Sequence, residues 1–200
     1  ELVQQRSYGI ADALLKGWAK QSKDRHQKFE IWCQQQTWLE DHAHFTVLHD
    51  QYREAWWGWP EELARHNHRA LRSWSERYKD EILRVKLQQW QLNQQWEAIR
   101  ELDKSKGILI FGDLPFYVSA DSVDVWSHRN LFTVKEDGNL TTQSGVPPDY
   151  FSETGQLWGS PVYRWGRHRL TRFQWWRQRF ARQRKLADLL RLDHFRALAA

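Results

Sequence analysis

The run Leu190–Arg196, LRLDHFR, embeds charges in an apolar stretch. Period-two alternation along a strand puts Arg191 and Asp193 on one face and Leu192 and His194 on the other. With that face turned into a barrel, the guanidinium lies near the carboxylate, favours its ionised form and lowers its pKa. An ionised carboxylate at a strand end is able to attack an anomeric carbon and form a covalent glycosyl intermediate. A buried Asp–Arg ion pair without chemistry explains the same residues and, on this run alone, stands slightly ahead. A charged pair inside an apolar strand is nevertheless costly enough to need a reason. His194, beside Asp193, is a candidate donor to a sugar hydroxyl.

A second run, Gly145–Tyr163, reads GVPPDYFSETGQLWGSPVY. Its Gly, Pro, Ser and Thr residues interrupt any helix or strand pattern, so it reads as a long loop, yet it keeps Tyr150, Phe151, Trp158 and Tyr163. Aromatics on a turn-rich backbone either cover a core or grip a flat, partly apolar ligand. A sugar ring is such a ligand, with a C–H face for stacking and hydroxyls that need polar partners. Asp149 follows Pro147-Pro148, where a turn initiator and a hydroxyl acceptor both fit. Asp113 sits in Gly112-Asp113-Leu114-Pro115, closing the apolar run Ile108–Phe111. Acids just past a buried strand are where α/β barrels keep functional groups; without other context, a turn or cap role explains Asp113 as well.

The elements needed to position these residues follow from periodicity. Residues 1–103 read as helical, with apolar residues at three-to-four spacing (Phe29, Trp32, Cys33; Trp38, His42, Phe45) and few breakers. Pro60 suits the first turn of a new helix, with Glu61 and Glu62 favourable at its positive end. Gly107 is the expected helix cap. Ile108–Phe111 then reads as a buried parallel strand. Asp121–Trp126 reads as a short helical turn, and Glu136–Asn139 as a tight turn between Leu131–Val134 and Leu140–Thr142. Leu170–Leu186 is an amphipathic helix feeding a second buried strand, Leu189–Phe195. The order helix, strand, long excursion, helix, strand is the grammar of a (β/α) barrel. The fold class is therefore α/β: about two strands of a (β/α)₈ TIM barrel and their long loop (104–200, including 145–163), preceded by an α-helical insertion (1–103). Two strands cannot close such a barrel. The absence of Met and the end inside an apolar run point the same way, to an internal fragment of a larger protein.

Composition narrows the partners. Charged residues make up 28% and hydrophobic residues 40%, a globular balance. Most of the 14 tryptophans fall at helix-packing positions, and Trp158 is singled out for ligand contact. Cys33 is the only cysteine, which excludes an internal disulfide or a Cys-based zinc site and fits a reducing compartment. His42/His44 and His66/His68 are two apart, which on a helix separates their faces, so no metal is expected. Phosphate-binding glycine motifs, nucleophile elbows and H-E-x-x-H are all absent, and no cofactor is expected. No apolar run is long enough for a membrane span. Net charge is +5 with a pI of about 9.4, much of it from arginines between Arg164 and Arg191. This basic stretch suits a solvated or covered helix face better than a nucleic-acid surface.

Several of these runs together resemble one family. Gly112–Val118 (GDLPFYV), then Asp121-Ser122 with Asp124-Val125-Trp126, is similar to the first signature of the amylomaltases, the 4-α-glucanotransferases also called disproportionating enzymes. Gly145–Tyr163 resembles their active-site loop, and Arg191–Arg196 their nucleophile strand. Phe29-Glu30, Trp38–Asp41, Trp59-Pro60 and Gln94–Trp96 are similar to their helical insertion. The resemblance runs from about residue 28 to the end. It implies a (β/α)₈ barrel of the α-amylase clan acting on α-1,4-glucan donors and acceptors, in the cytoplasm or, in plants, a plastid. It implies that Asp193 is the nucleophile, that Arg191 and His194 shape the donor subsite, and that Asp113 lines the same pocket from the third strand. Asp149, Tyr150 and Phe151 would form a mobile lid, with Trp158 in sugar contact. Ser160 replaces the family's usual Asn, a change that bears on one sugar hydrogen bond. Ala197 replaces its usual Gly, and Leu198–Ala200 differs from the usual continuation.

A hydrolase of the same clan, or a non-catalytic glucan- or nucleic-acid-binding domain, are the competing readings. The sequence carries no signal for oligomeric state. In the family, the general acid and a third essential carboxylate come after the segment matched here. The 200-residue polypeptide alone is therefore expected to lack transferase activity. Incubation with maltotriose should leave it unchanged by chromatography, and any steady disproportionation contradicts this.

Overall fold

The computed structural model describes residues 2–148, 150 and 152–198, apart from the side chains of 2–8 and 196. The chain forms two compact units, Glu1–Ala55 with Trp59–Ile99, and Trp56–Gly58 with Arg100–Ala200.

The first unit is helical: α1 (Leu2–Trp18), α2 (Lys23–Gln35), α3 (Leu39–Tyr52), α4 (Glu61–Ala64), α5 (His68–Arg77) and most of α6 (Lys79–Ser105). Side-chain oxygens supply the orphan amides at two helix starts. Ser22 Oγ accepts from the Arg25 amide, and Asn67 Oδ1 from the amides of Arg69 and Ala70. Pro60 lies one residue before α4, and its carbonyl accepts from Leu63 and Ala64 at 2.9 Å each. The expected spacing buries one face of each helix. Phe29 packs with Leu87 and Trp90, flanked by Trp18, Trp32 and Cys33. Ala43 and Val47 pack with Ile82 and Val85, flanked by Trp74 and Tyr78. The paired histidines serve this packing: His66 Nε2 lies 2.8 Å from Asp41 Oδ1, and His44 Nε2 lies 2.7 Å from Ser75 Oγ. Burial pushes the Cys33 thiol up to about 11, which keeps it protonated and unreactive.

In the second unit, α6 ends as expected at Gly107, where the Ile108 amide reaches back to the Asp103 carbonyl at 3.0 Å. The strand that follows is shifted. It is not Ile108–Phe111 but β1 (Phe111–Leu114), so Asp113 lies within the strand rather than after it. The cause is a clip just before it: the Asp188 carboxylate accepts from the Ile110 amide at 2.9 Å, and the Ile110 carbonyl accepts from the Asp188 amide. Ile108, Leu109 and Phe111 are exposed rather than buried, because β1 has a single neighbouring strand among those described. That neighbour is β4 (Leu189–Leu192), parallel, with Asp113 opposite Arg191. The strand ends at Leu192, not Phe195: Asp193 and His194 form a turn, with His194 at φ 50°, and Phe195–Leu198 is a 3₁₀ turn.

Between β1 and β4 lie α7 (Val123–Ser127), β2 (Gln143–Val146), β3 (Gln156–Pro161), α8 (Trp165–Leu170) and α9 (Gln174–Leu186). Ser122 caps α7 through the Val125 amide. The hairpin expected at 131–142 reduces to one bridge, Val134 to Leu140. The helix expected at Leu170–Leu186 begins later, because the backbone turns left-handed at Arg172 and Phe173. α9 packs on both β1 and β4, completing a parallel strand–helix–strand crossover. The core is aromatic. Phe116, Phe132, Tyr163, Trp175 and Trp176 are buried together, and the Tyr163 hydroxyl donates to the Phe116 carbonyl. His168 is fully buried among Phe132, Tyr163, Trp165 and Trp175, and burial lowers its pKa, so it packs as a neutral ring. Trp56 joins this unit by donating from Nε1 to the Ala120 carbonyl at 2.8 Å.

The run read as a loop, 145–163, contains an antiparallel hairpin of β2 and β3. Its glycines, taken as breakers, allow the legs to close. A Cβ on Gly145 would sit 2.3 Å from the Gln156 carbonyl oxygen, and one on Gly155 2.5 Å from that of Val146, with Gly155 already at φ +74°. Gly155→Ala is expected to destabilise this unit by about 1–3 kcal/mol, seen as a lower denaturant midpoint. An unchanged midpoint would mean the hairpin is not closed in solution.

Candidate active site

The parallel register determines the first contact. Asp113 on β1 and Arg191 on β4 are register partners, so their side chains leave the sheet together. Arg191 Nε and Nη2 donate to the two oxygens of Asp113 at 3.1 and 2.6 Å, a bidentate fork. Both side chains remain about half exposed, at 59% and 49%. The hydrogen bond from Arg191 holds the Asp113 carboxyl below the usual carboxylate range. The expectation that Arg191 pairs with Asp193 is thereby corrected: the fork is committed to Asp113. The reason is geometric, since a register partner on the next strand is nearer than a residue beyond the strand end. Asp193 still acts on Arg191 through space, as a weaker contribution than Asp113.

Asp193 follows β4 directly, and its amide donates to the Leu114 carbonyl at 3.2 Å, at the matching end of β1. The residue is exposed, and among the described residues its carboxylate accepts no hydrogen bond. An unencumbered carboxylate at the carboxyl end of parallel strands is well placed to act on a ligand. His194, half-buried, turns its ring onto the hairpin: Trp158 of β3 meets it edge-on at 4.9 Å and 81°. Trp158 is 40% exposed and donates from Nε1 to Gln156 Oε1 at 3.0 Å. Of the tryptophans, it and Trp57 are the exposed ones; Trp57 lies against Gly138.

The structure thus brings together Asp113, Arg191, Asp193, His194 and Trp158 at one end of the β1–β4 pair. Ser160 lies half-buried in β3, and no hydrogen bond joins it to this group among the described residues. Tyr150 is 98% exposed near the hairpin tip. Asp149 and Phe151 lie outside the described residues. A residue given no role from sequence, Tyr117, belongs here as well. Its ring stands 6.0 Å from Trp158 and 5.9 Å from His194. The signal was present in Leu114-Pro115-Phe116-Tyr117. Phe116 is buried and Tyr117 half-buried, in the bend just after β1.

The depressed Asp113 pKa fixes a sign. Its folded value lies below the unfolded one, so the contact stabilises the fold above the unfolded pKa of about 3.9. It is lost as pH falls through the lower folded value. Arg191→Leu is expected to move the Asp113 carboxyl titration upward, read by carbon NMR. An unmoved titration contradicts the pairing.

Comparison with known proteins gives a consistent result. A family model described as 4-alpha-glucanotransferase matches residues 2–200. A 4-alpha-glucanotransferase of Synechocystis sp. is 41% identical over 173 residues, covering 85% of this chain and 34% of the relative. The chloroplastic/amyloplastic enzyme of Oryza sativa subsp. japonica is 45% identical over 164 residues, covering 81% of this chain and 27% of the relative. The solved structure of amylomaltase from Streptococcus agalactiae in complex with acarbose superposes with a TM-score of 0.88 at 32% identity, covering 96% of this chain and 39% of that one. The chain therefore spans about a third of the length of the relatives it matches. Its two parallel strands with their crossover helix are a portion of a (β/α)₈ barrel.

Proposed function

This chain belongs to the 4-alpha-glucanotransferase family, and from that premise we propose that the whole protein transfers α-1,4-glucan segments between maltooligosaccharides by a retaining double displacement. The observation that carries this reading is the exposed Asp193 carboxylate at the carboxyl end of β4, beside a fork already locked between Asp113 and Arg191. In the first step an Asp193 oxygen attacks the anomeric carbon, forming a C–O ester bond. The glycosidic bond breaks, its electron pair stays on the departing 4-oxygen, and a general acid outside residues 1–200 protonates it. In the second step the 4-hydroxyl of an incoming glucan attacks the same carbon, loses its proton to the same group, and releases Asp193 as carboxylate.

The surrounding groups have roles in this reading. Arg191, held by Asp113, presents a fixed positive edge to the donor sugar, and His194 presents a ring nitrogen to a hydroxyl. Trp158 offers an exposed aromatic plane to a sugar C–H face. Asp149, Tyr150 and Phe151, which in sequence lie between β2 and β3, cover the bound glucan in this reading. Ser160 offers a hydroxyl to the bound glucan in this reading. An aromatic cover that hinders water favours a second sugar over hydrolysis. Residues 1–103 act as a helical insertion and 104–200 as the barrel segment. The compartment we propose is the cytoplasm, or a plastid in a plant; among the described residues no helix is long and apolar enough to cross a membrane.

Product analysis of the whole protein with maltotriose tests the reading. A ladder of longer maltooligosaccharides is expected, and Asp193→Ala should reduce its rate by at least about a thousandfold. Glucose and maltose without longer products would instead mark a hydrolase, and full activity in Asp193→Ala would remove the nucleophile assignment.

A further inference from the structure

Tyr117, Trp158 and His194 come from three separate stretches of chain: the segment after β1, strand β3, and the turn after β4. We propose that Tyr117 is a positioning residue for glucan binding, the ring that sets the orientations of Trp158 and His194. The proposal rests on the glucan-transfer reading above.

Tyr117 is held from behind by the core. It stacks on Tyr163 at 6.1 Å with an interplanar angle of 11°, and Phe116 meets it edge-on at 4.9 Å. Tyr163 is itself immobilised: it is 5% exposed, and its hydroxyl donates to the Phe116 carbonyl. From this anchored position the Tyr117 ring faces forward. It meets Trp158 at 62° and His194 at 37°, and those two meet each other at 81°. The three rings thus form a closed triangle with one vertex fixed in the core.

The other two vertices have little else to hold them. Trp158 is 40% exposed, and among the described residues its indole N–H bonds two residues back along its own strand, to Gln156. His194 occupies a left-handed turn position outside β4. Each lies beside a group the reading needs, since Asp193 precedes His194 and the hairpin tip precedes Trp158. A sugar ring reads the tilt of an aromatic plane, and small misplacements of contact groups are costly in a site of this kind. Among the described residues, Tyr117 is the ring that lies beside both and is itself held by the core, and removing it takes that support away. The ring, rather than the hydroxyl, does the holding: among the described residues the Tyr117 hydroxyl makes no hydrogen bond.

The test uses the full-length protein, with steady-state transfer from maltotriose and quenching of tryptophan fluorescence by maltoheptaose. Tyr117→Leu is expected to raise KM by about 3- to 10-fold, with a smaller fall in kcat and a matching loss of quenching. Tyr117→Phe, which keeps the ring, should restore most of the affinity. Thermal unfolding by circular dichroism confirms that both variants are folded. If Tyr117→Leu does not fold, Tyr117→His, a smaller aromatic, takes its place and should give an intermediate KM. Wild-type KM and quenching in a folded Tyr117→Leu overturn the proposal, as does a Tyr117→Phe variant as impaired as Tyr117→Leu. A wild-type protein that makes no ladder from maltotriose overturns the transfer reading and this proposal with it. An active wild type with an indifferent Tyr117→Leu overturns this proposal alone.

Discussion

The parallel pairing of β1 with β4 is what places the candidate groups, and a charge contact fastens it at each end. At the amino end the Asp188 carboxylate takes a bidentate fork from Arg100 and a 2.9 Å bond from the Ile110 amide. Arg100 and the Ile110 amide hold that carboxyl well below the usual carboxylate range. At the carboxyl end Arg191 grips Asp113 in the same bidentate manner. A one-residue slip would turn Asp113 and Arg191 to opposite faces and carry Asp193 with them. Strand order alone does not prevent that slip, but two oriented forks, one at either end, do. The crossover helix α9 covers both strands and leaves their carboxyl ends to the turns.

The long excursion between the strands has a different physical basis. Its legs, β2 and β3, come so close that backbone oxygens occupy the space where side chains of Gly145 and Gly155 would lie. That closeness makes β3 a stiff arm, and the arm carries Trp158 to the ring of His194. Behind it, the ring cluster of Phe116, Tyr163, Trp175 and Trp176 supplies the mass of the core. The site is therefore an aromatic surface continuous with the core on one side and a carboxylate-bearing strand end on the other.

Much of this was legible in the sequence. Gly107 as a cap, the short helical turn within Asp121–Trp126, the helical packing of Phe29 with its neighbours and the strand at Leu189 all follow from local chemistry. Other features do not, for tertiary reasons. The β1 strand begins at Phe111, three residues later than composition implies, because Ile108–Ile110 reads as strand while the Asp188 clip sets the pairing after it. The partner of Arg191 is not on its own run, because sequence shows alternation along a strand and not register across strands. The β2–β3 hairpin has the sequence of a loop, because glycine signals both a break and a close approach, and only the facing backbone tells them apart. The setting of Tyr117 is hidden in sequence for a similar cause: its neighbours, Trp158 and His194, are far from it along the chain.

In the proposed transfer, Asp193, and not the nearby Asp113, forms the bond to sugar. A fluorinated glucosyl fluoride that reacts quickly and turns over slowly would trap the covalent ester on the whole protein. Peptide mass spectrometry should then find the added fluoroglucosyl mass on the peptide containing Asp193. The same mass on the Asp113 peptide, or on neither while the protein still transfers glucan, would contradict it.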